Sequence, residues 1–343
     1  MSAVTTRSTE TLFLLGVLSI LCNGPAVAQS KTGTTVGQFL LIEPSARSAA
    51  MGNAGVTMFG EVTSAFYNPG ALGHLEQSSA QFTYSAWLAD ITYNYAAVGL
   101  RLGATSTFLL TVTALNSGEI DVRTPDQPRG TGERYSVSDL SLGIGYSRRI
   151  TDRFSAGIQV KYMRETIWHS SLDALALDFG VLYLLPFGTY LGASLSNFGT
   201  RAAFDGRDLR IRFDRNPNVF GDNSNLPAAL ETEDFPLPIL FRVGLGVPVQ
   251  INSYSRAHFV IDAFQPSDNT ESISMGAELT FFDLLSMRGG YQHLFQQDSE
   301  FGLTLGSGLR YNLTSTYGFL FDYAWGSHEQ LGGTHRLTVG LAF

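Results

Sequence analysis

Apolar and polar side chains alternate along most of the chain after residue 78. That period of two is the period of a β-strand with one apolar face. The last nine residues, HRLTVGLAF, show it plainly: Leu337, Val339, Leu341 and Phe343 share one parity, and Arg336, Thr338, Gly340 and Ala342 the other. In 153–167, Phe154, Ile158, Val160 and Tyr162 oppose Ser155, Gln159, Lys161 and Glu165. In 172–185, Leu175, Leu177, Phe179 and Val181 oppose Ala176, Asp178 and Gly180. In 316–326, Phe319, Phe321, Tyr323 and Trp325 oppose Gly318, Asp322 and Ala324. Fourteen such segments are expected: 79–88, 92–102, 105–115, 137–150, 153–167, 172–185, 189–199, 236–249, 255–264, 271–282, 285–294, 300–311, 316–326 and 333–343.

Strand length separates two readings of this pattern. Strands of soluble sandwiches usually run about 5–6 residues, whereas a tilted strand that crosses a bilayer needs about 9–11. Most of these segments reach or exceed the longer figure. Their polar parity is mainly Gly, Ser and Thr with isolated charges. That suits an enclosed lumen better than a soluble exterior, which would carry more Lys and Glu. The predicted fold is all-β: a 14-stranded antiparallel transmembrane β-barrel with an N-terminal plug segment in the lumen.

The connections agree. Those after strands 2, 4, 6, 8, 10 and 12 are short, as periplasmic turns are. Those after strands 3 and 7 are long, 116–136 and 200–235; those after strands 5, 9, 11 and 13 are intermediate and polar; the first, Ala89 to Ile91, is short although it lies on the outer side. Trp87, Trp168 and Trp325 fall at the loop-side strand ends, and Tyr311, Tyr317 and Phe343 at the turn-side ends. This predicts two interfacial aromatic girdles. A barrel also answers why the chain ends inside a strand, because the last strand must pair with the first to remove the sheet edges.

Residues 1–28 change the compartment. Arg7, the apolar run Leu12 to Leu21 and the Ala26-Val27-Ala28 site form a secretory signal peptide, with cleavage expected before Gln29. The only cysteine, Cys22, lies inside that leader. A lipoprotein reading of Cys22 is open, although Ser19-Ile20-Leu21 is a poor lead-in. The processed chain then has no disulfide and must be held by pairing or by a large core. No segment has about 18 consecutive apolar residues, so no membrane helix is expected. The 36 glycines and 24 phenylalanines fit a barrel or sandwich. The net charge of −8 argues against nucleic acid as a partner.

Residues 29–78 do not alternate. Their small residues, with Pro44, Gly52 and Gly55 as breakers, suggest short helical turns. The stretch is too apolar to hang in the periplasm, and fourteen strands leave an interior wider than their side chains fill. It is therefore expected to enter the lumen. Residues 1–28, 29–78 and 79–343 are read as leader, plug and barrel. The inward glycines 143, 145, 244, 246, 306 and 308 leave room for the plug or for a ligand.

Within that segment, FLLIEPSARSAAMGNAGVT followed by AFYNPGALG resembles the opening of the PorV/PorQ family of outer-membrane proteins, relatives of the FadL channels. The motif positions are Ala50, Met51, Gly52, Asn68, Pro69 and Gly70. GAELTFFDLLSMRGGYQH and THRLTVGLAF read like that family's last strands. Gly70 stands where the family usually has Ala, and Glu61 stands alone where an acidic pair is common. The resemblance also implies that Leu337, Val339, Leu341 and Phe343 form a C-terminal assembly signal, and it places the protein in the bacterial outer membrane among its lipids.

No nucleophile elbow, phosphate loop or dinucleotide fingerprint occurs, so neither enzyme activity nor a cofactor is expected. His169 and His328 are placed in outer loops. The acidic residues Asp205, Asp208 and Asp214, with GDNSN at 221–225, are weighed as a calcium loop; the spacing does not match the EF-hand, and no metal site is assigned. Lys161, Asp178, Arg242, Arg256, His258, Asp262, Glu278, Arg288, Arg310, Asp322 and Arg336 are candidate lumen residues that should neutralise one another or bind the plug, since an unpaired buried charge is costly.

The resemblance implies a type IX secretion accessory that docks or shuttles secreted proteins, with a translocon and its cargo as partners. The alternative is a FadL-like channel for fatty acids or other hydrophobic small molecules.

Overall fold

A computed structural model describes residues 32–215, 218, 225–296, 299–314, 316–328 and 331–343. The expected leader lies outside the described residues, as does most of the acidic stretch at 221–225. Fourteen long strands form one ring: β1 Ser79–Ala86, β2 Thr92–Leu102, β3 Ser106–Asp121, β4 Arg134–Thr151, β5 Phe154–Ile167, β6 Ser170–Leu184, β7 Tyr190–Gly199, β8 Leu240–Asn252, β9 Ser255–Pro266, β10 Ser272–Phe281, β11 Leu285–Leu294, β12 Phe301–Asn312, β13 Gly318–His328 and β14 Gly332–Ala342. Each pairs antiparallel with its neighbours, and β1 closes on β14 from Ser79↔Ala342 to Ala86↔His335. The Phe343 N–H donates to the Ser78 carbonyl at 2.8 Å, so the pairing runs to the final residue.

The parity assignment holds around the ring. On β13, Phe319 is 51% exposed while Asp322 is fully buried. Leu245, Leu305, Leu337, Val339, Leu341 and Phe343 all face outward, and the residues between them face inward. No helix among the described residues is long and apolar enough to cross a membrane; the apolar belt is built from strands.

The rims differ from expectation in three respects. β3 and β4 run on as a hairpin to Asp121 and Arg134, so much of the predicted 116–136 loop is ladder that projects past the rim. The connection after β5 is only Trp168-His169, and Trp168 takes a left-handed backbone with φ 53°. The long connection after β7 carries pairing of its own: Asp205–Gly206 pairs with the start of β6, and Arg210–Phe213 forms a ribbon with Leu226–Ala229.

Two aromatic and histidine placements are corrected. Trp87 is not on the outer girdle. It follows β1 on the inward parity, with the Arg336 guanidinium 5.0 Å from its ring centre. His328 is not in a loop. It is the buried last residue of β13, between Trp87 and Phe301. Both follow the inward parity of their strands, Trp87 with Thr83 and Ser85 and His328 with Asp322 and Ala324.

Candidate functional site

Residues 38–75 pack against inward-facing residues of the ring. They fold as short turns: a 3-10 turn at Gln38–Leu41, one α-helical turn at Ala46–Ala49 capped by the Ser45 hydroxyl, and 3-10 turns at Val62–Phe66 and Pro69–His74. Turns this short leave backbone N–H and C=O groups unpaired, and the inward face of the barrel satisfies many of them. Ala46 N–H donates to Thr338 Oγ1 (3.2 Å), Gly52 N–H to Thr304 Oγ1 (2.9 Å) and Val56 N–H to Asp262 Oδ2 (2.8 Å). Thr107 Oγ1 donates to the Leu72 carbonyl and Ser155 Oγ to the Gly70 carbonyl, at 2.9 and 2.7 Å.

The two motif patches sit on paired glycines of the wall. Asn68-Pro69-Gly70 rests on Gly157 and Gly180, which face each other across β5 and β6. A Cβ on Gly180 would lie 2.1 Å from Asn68 Oδ1, and one on Gly157 2.4 Å from the Pro69 carbonyl oxygen. Asn68 is fixed from both ends, because its amide donates to the carbonyls of Val56 and Val181 (2.8 Å each) and its Oδ1 accepts from Gly70 N–H (2.9 Å). Gly70 itself has no room for Ala, since a Cβ there would meet the Gly180 carbonyl oxygen at 2.6 Å. Ala50-Met51-Gly52 repeats the device, with Met51 against Gly276 and Gly290, also a facing pair, and Ala50 against Gly306. Gly244 and Gly246 receive Val56 and Thr57. The glycines at 143, 145 and 308 instead make room for wall side chains: Gln159 and Thr111, Leu109, and the Asp322–Arg288 pair.

The charged candidates fall into three groups. Toward the turn side, Arg47 donates to both Glu278 oxygens (2.8 and 2.6 Å) and to Glu61 (3.1 Å). Arg288 joins Glu278 to Asp322, and Arg310 reaches Glu61 at 2.7 Å. Three guanidiniums and three carboxylates thus lock the inner segment to β10, β11, β12 and β13. The second group is Lys161 with Asp178 at 2.8 Å, braced by Asn197. Asn197 sits at a bulge opposite Asp178 with φ 62°, and its N–H donates to Asp178 Oδ1. The third group is different. Arg242 and Arg336 are buried with no ion pair among the described residues. Arg242 lies 5.6–5.9 Å from the ring centres of Phe66, Tyr67 and Phe264 and donates to Ser196 Oγ at 3.2 Å.

Arg256 sits at the turn-side rim on the inward parity of β9, half-exposed and paired with Asp283 at 2.9 Å. His258 lines a cavity of about 560 Å3 at that same rim, with Arg47, Phe59, Glu61, His74 and Arg310 among the other walls. Arg47 and Asn197 were not singled out from sequence. Arg47 had a signal, being the sole charge between Glu43 and Glu61 in a small, apolar run. Asn197 had none.

On the loop side, a groove of about 780 Å3 lies between the β3–β4 hairpin and the start of the 200–239 connection. Ile120, Val122, Tyr135, Ile167, Trp168 and Phe204 line it.

This is the architecture of an outer-membrane β-barrel with its own chain folded inside. Solved structures share the fold. The CymD monoaromatic hydrocarbon channel matches with a TM-score of 0.56 at 11% identity, over 88% of this chain and 98% of that one. The Pseudomonas putida toluene transporter TodX matches at 0.55 and 13%, over 87% and 96%, and a Pseudomonas aeruginosa FadL homologue at 0.53 and 11%, over 87% and 97%. No curated protein matches the chain. The family model described as type IX secretion system protein PorV matches residues 26–208, and the chain belongs to that family. Its place is the bacterial outer membrane.

Proposed function

We propose that this protein serves type IX secretion as a docking barrel: its loop-side rim receives secreted proteins or the translocon, and residues 29–78 form a plug that keeps the lumen shut. The observation that carries this reading is the division between interior and rim. Residues 38–75 are held against inward-facing wall residues by hydrogen bonds, glycine contacts and an ion network. Beside the projecting hairpin the rim carries a groove whose apolar walls are edged by Asp121, Arg123 and Asp208. Cells lacking the protein should lose surface display of secreted proteins, and so should cells whose protein lacks residues 124–131, a deletion confined to the hairpin tip. Normal display in the null strain would end the proposal.

The runner-up is a conduit for hydrophobic small molecules, favoured by the shared fold of the hydrocarbon channels. The turn-side cavity counts against it, because Arg47, Glu61, Glu278 and Arg310 surround it and an apolar cargo would have to pass them. Barrel purified in mild detergent should carry no stoichiometric lipid or hydrocarbon if docking is the function. A retained apolar ligand would favour the conduit.

A further inference from the structure

The inner segment has a direction. Residues 35–38 are tied to loop-side positions: Val36 N–H donates to the Pro236 carbonyl (3.1 Å), Gly37 N–H to Glu165 near the end of β5 (2.9 Å), and Thr35 and Gln38 both donate to Asp268 between β9 and β10 (2.6 Å each). Phe39 and Leu40 pack on Met163, Leu172, Ala202 and Leu237 at the same end. The chain then descends. Gly52 is held by Thr304, near the loop-side start of β12, while Glu61 meets Arg310, near the turn-side end of that strand. Gly70 and Leu72 are held by Ser155 and Thr107, each the second residue of a strand that starts at the turn side. Glu76 accepts from Arg101 at the last turn before β1.

We infer that the segment threads the barrel from the outer rim to the inner rim, so that Thr32–Thr34 are displayed on the outside of the cell, beside the long connection between β7 and β8. Three features carry this. The ties at 35–38 reach the long connection after β7, the end of β5 and the β9–β10 connection, all on the loop side. Thr32, Gly33 and Thr34 are exposed, whereas Gly37, Phe39 and Leu40 are buried. The other end of the segment is fixed by covalent continuity with β1, which begins at the inner rim. A partner that docks on the outer rim therefore meets this strip as well as the loops, a consequence that rests on the docking reading; the threading itself does not.

The test uses the full chain in intact cells. The expected leader removes Cys22, so each variant carries one thiol. Thr32→Cys should react with a membrane-impermeant maleimide as completely as Arg129→Cys in the β3–β4 hairpin, while Asp152→Cys in the β4–β5 turn should react only after the membrane is opened. Thr32→Cys that behaves like Asp152→Cys overturns the inference. If Arg129→Cys is protected and Asp152→Cys reacts, the orientation of the barrel is what fails. Thr34→Cys repeats the measurement independently, and the heat-dependent gel shift of folded barrels verifies assembly of every variant. Loss of surface display with normal Thr32→Cys labelling would concern the docking reading alone.

Discussion

Arg47 of the inner segment and Glu278 of β10 form a two-point ion pair, Nε to Oε2 at 2.8 Å and Nη2 to Oε1 at 2.6 Å. Glu278 is buried and Arg47 partly so, and both have further partners, Arg47 in Glu61 and Glu278 in Arg288. Removing one member of such a network strands the others, which costs about 3–5 kcal/mol. Arg47→Ala should lower the barrel's unfolding temperature in vesicles sharply, and Glu278→Gln should do likewise. Because they share the network, the double variant should lose clearly less than the sum of the two.

Wall glycines should divide by face. Gly180→Ala brings a methyl group to 2.1 Å from Asn68 Oδ1 and should dislodge the Asn68-Pro69-Gly70 turn. Gly289→Ala, on the same barrel but with nothing nearer than 3.6 Å, should be silent. Limited proteolysis of the folded proteins distinguishes them: new cleavage within 60–75 is expected for Gly180→Ala only.

The outward parity can be tested by charge. Val339→Arg on the lipid face should cost about 2–4 kcal/mol near the bilayer middle. Equilibrium unfolding from phospholipid vesicles reads that difference. A cost near zero would mean that Val339 does not face lipid.

His74 supplies a pH dependence. It packs against Phe59 and Tyr190, and burial, followed by the nearby Arg149, lowers its pKa from the usual 6.5. In the folded protein the imidazole stays neutral where the unfolded chain would already bind a proton. Stability from this group is therefore complete above pH 6.5 and declines as the pH falls below it. The wild type should lose stability on acidification in that window, and His74→Phe should lose less.

The C-terminal side chains are expected to bear on assembly. Phe343 faces outward at the turn-side rim and its N–H completes the seam at Ser78. Phe343→Ser should reduce the yield of heat-modifiable barrel in the outer membrane, with secretion across the inner membrane unchanged, as followed by pulse labelling.

Much of this was legible because a barrel wall obeys one rule wherever no bulge interrupts it. Leu305 and Thr304 could be assigned to opposite faces from parity alone, and so could Val339 and Thr338. The strand count and the closing pair follow from the same rule. The hairpin extension of β3 and β4 was missed because Ser117 and Gly118, at a register shift, interrupt the alternation. The inner segment was legible only as an apolar, non-alternating stretch. Its contacts join residues far apart in sequence, such as Asn68 with Val181 and Arg47 with Glu278, and no local period encodes them. Asn197 became important through a bulge, which shifts parity by one and defeats counting. Trp87 and His328 carry the inward parity of Ser85 and Asp322, a signal passed over when both are placed by strand end alone.

The seam between β1 and β14 has a consequence for biogenesis. Residue 78 leads directly from the inner segment into one lip of that seam, and residue 343 ends the other. A wall already shut would leave only its narrow end openings for some forty residues of chain to pass through. The economical order is the reverse, with the wall curling around cargo it carries itself and zipping last. Whatever holds the nascent sheet open in the membrane must then accommodate a half-built ring and its contents together.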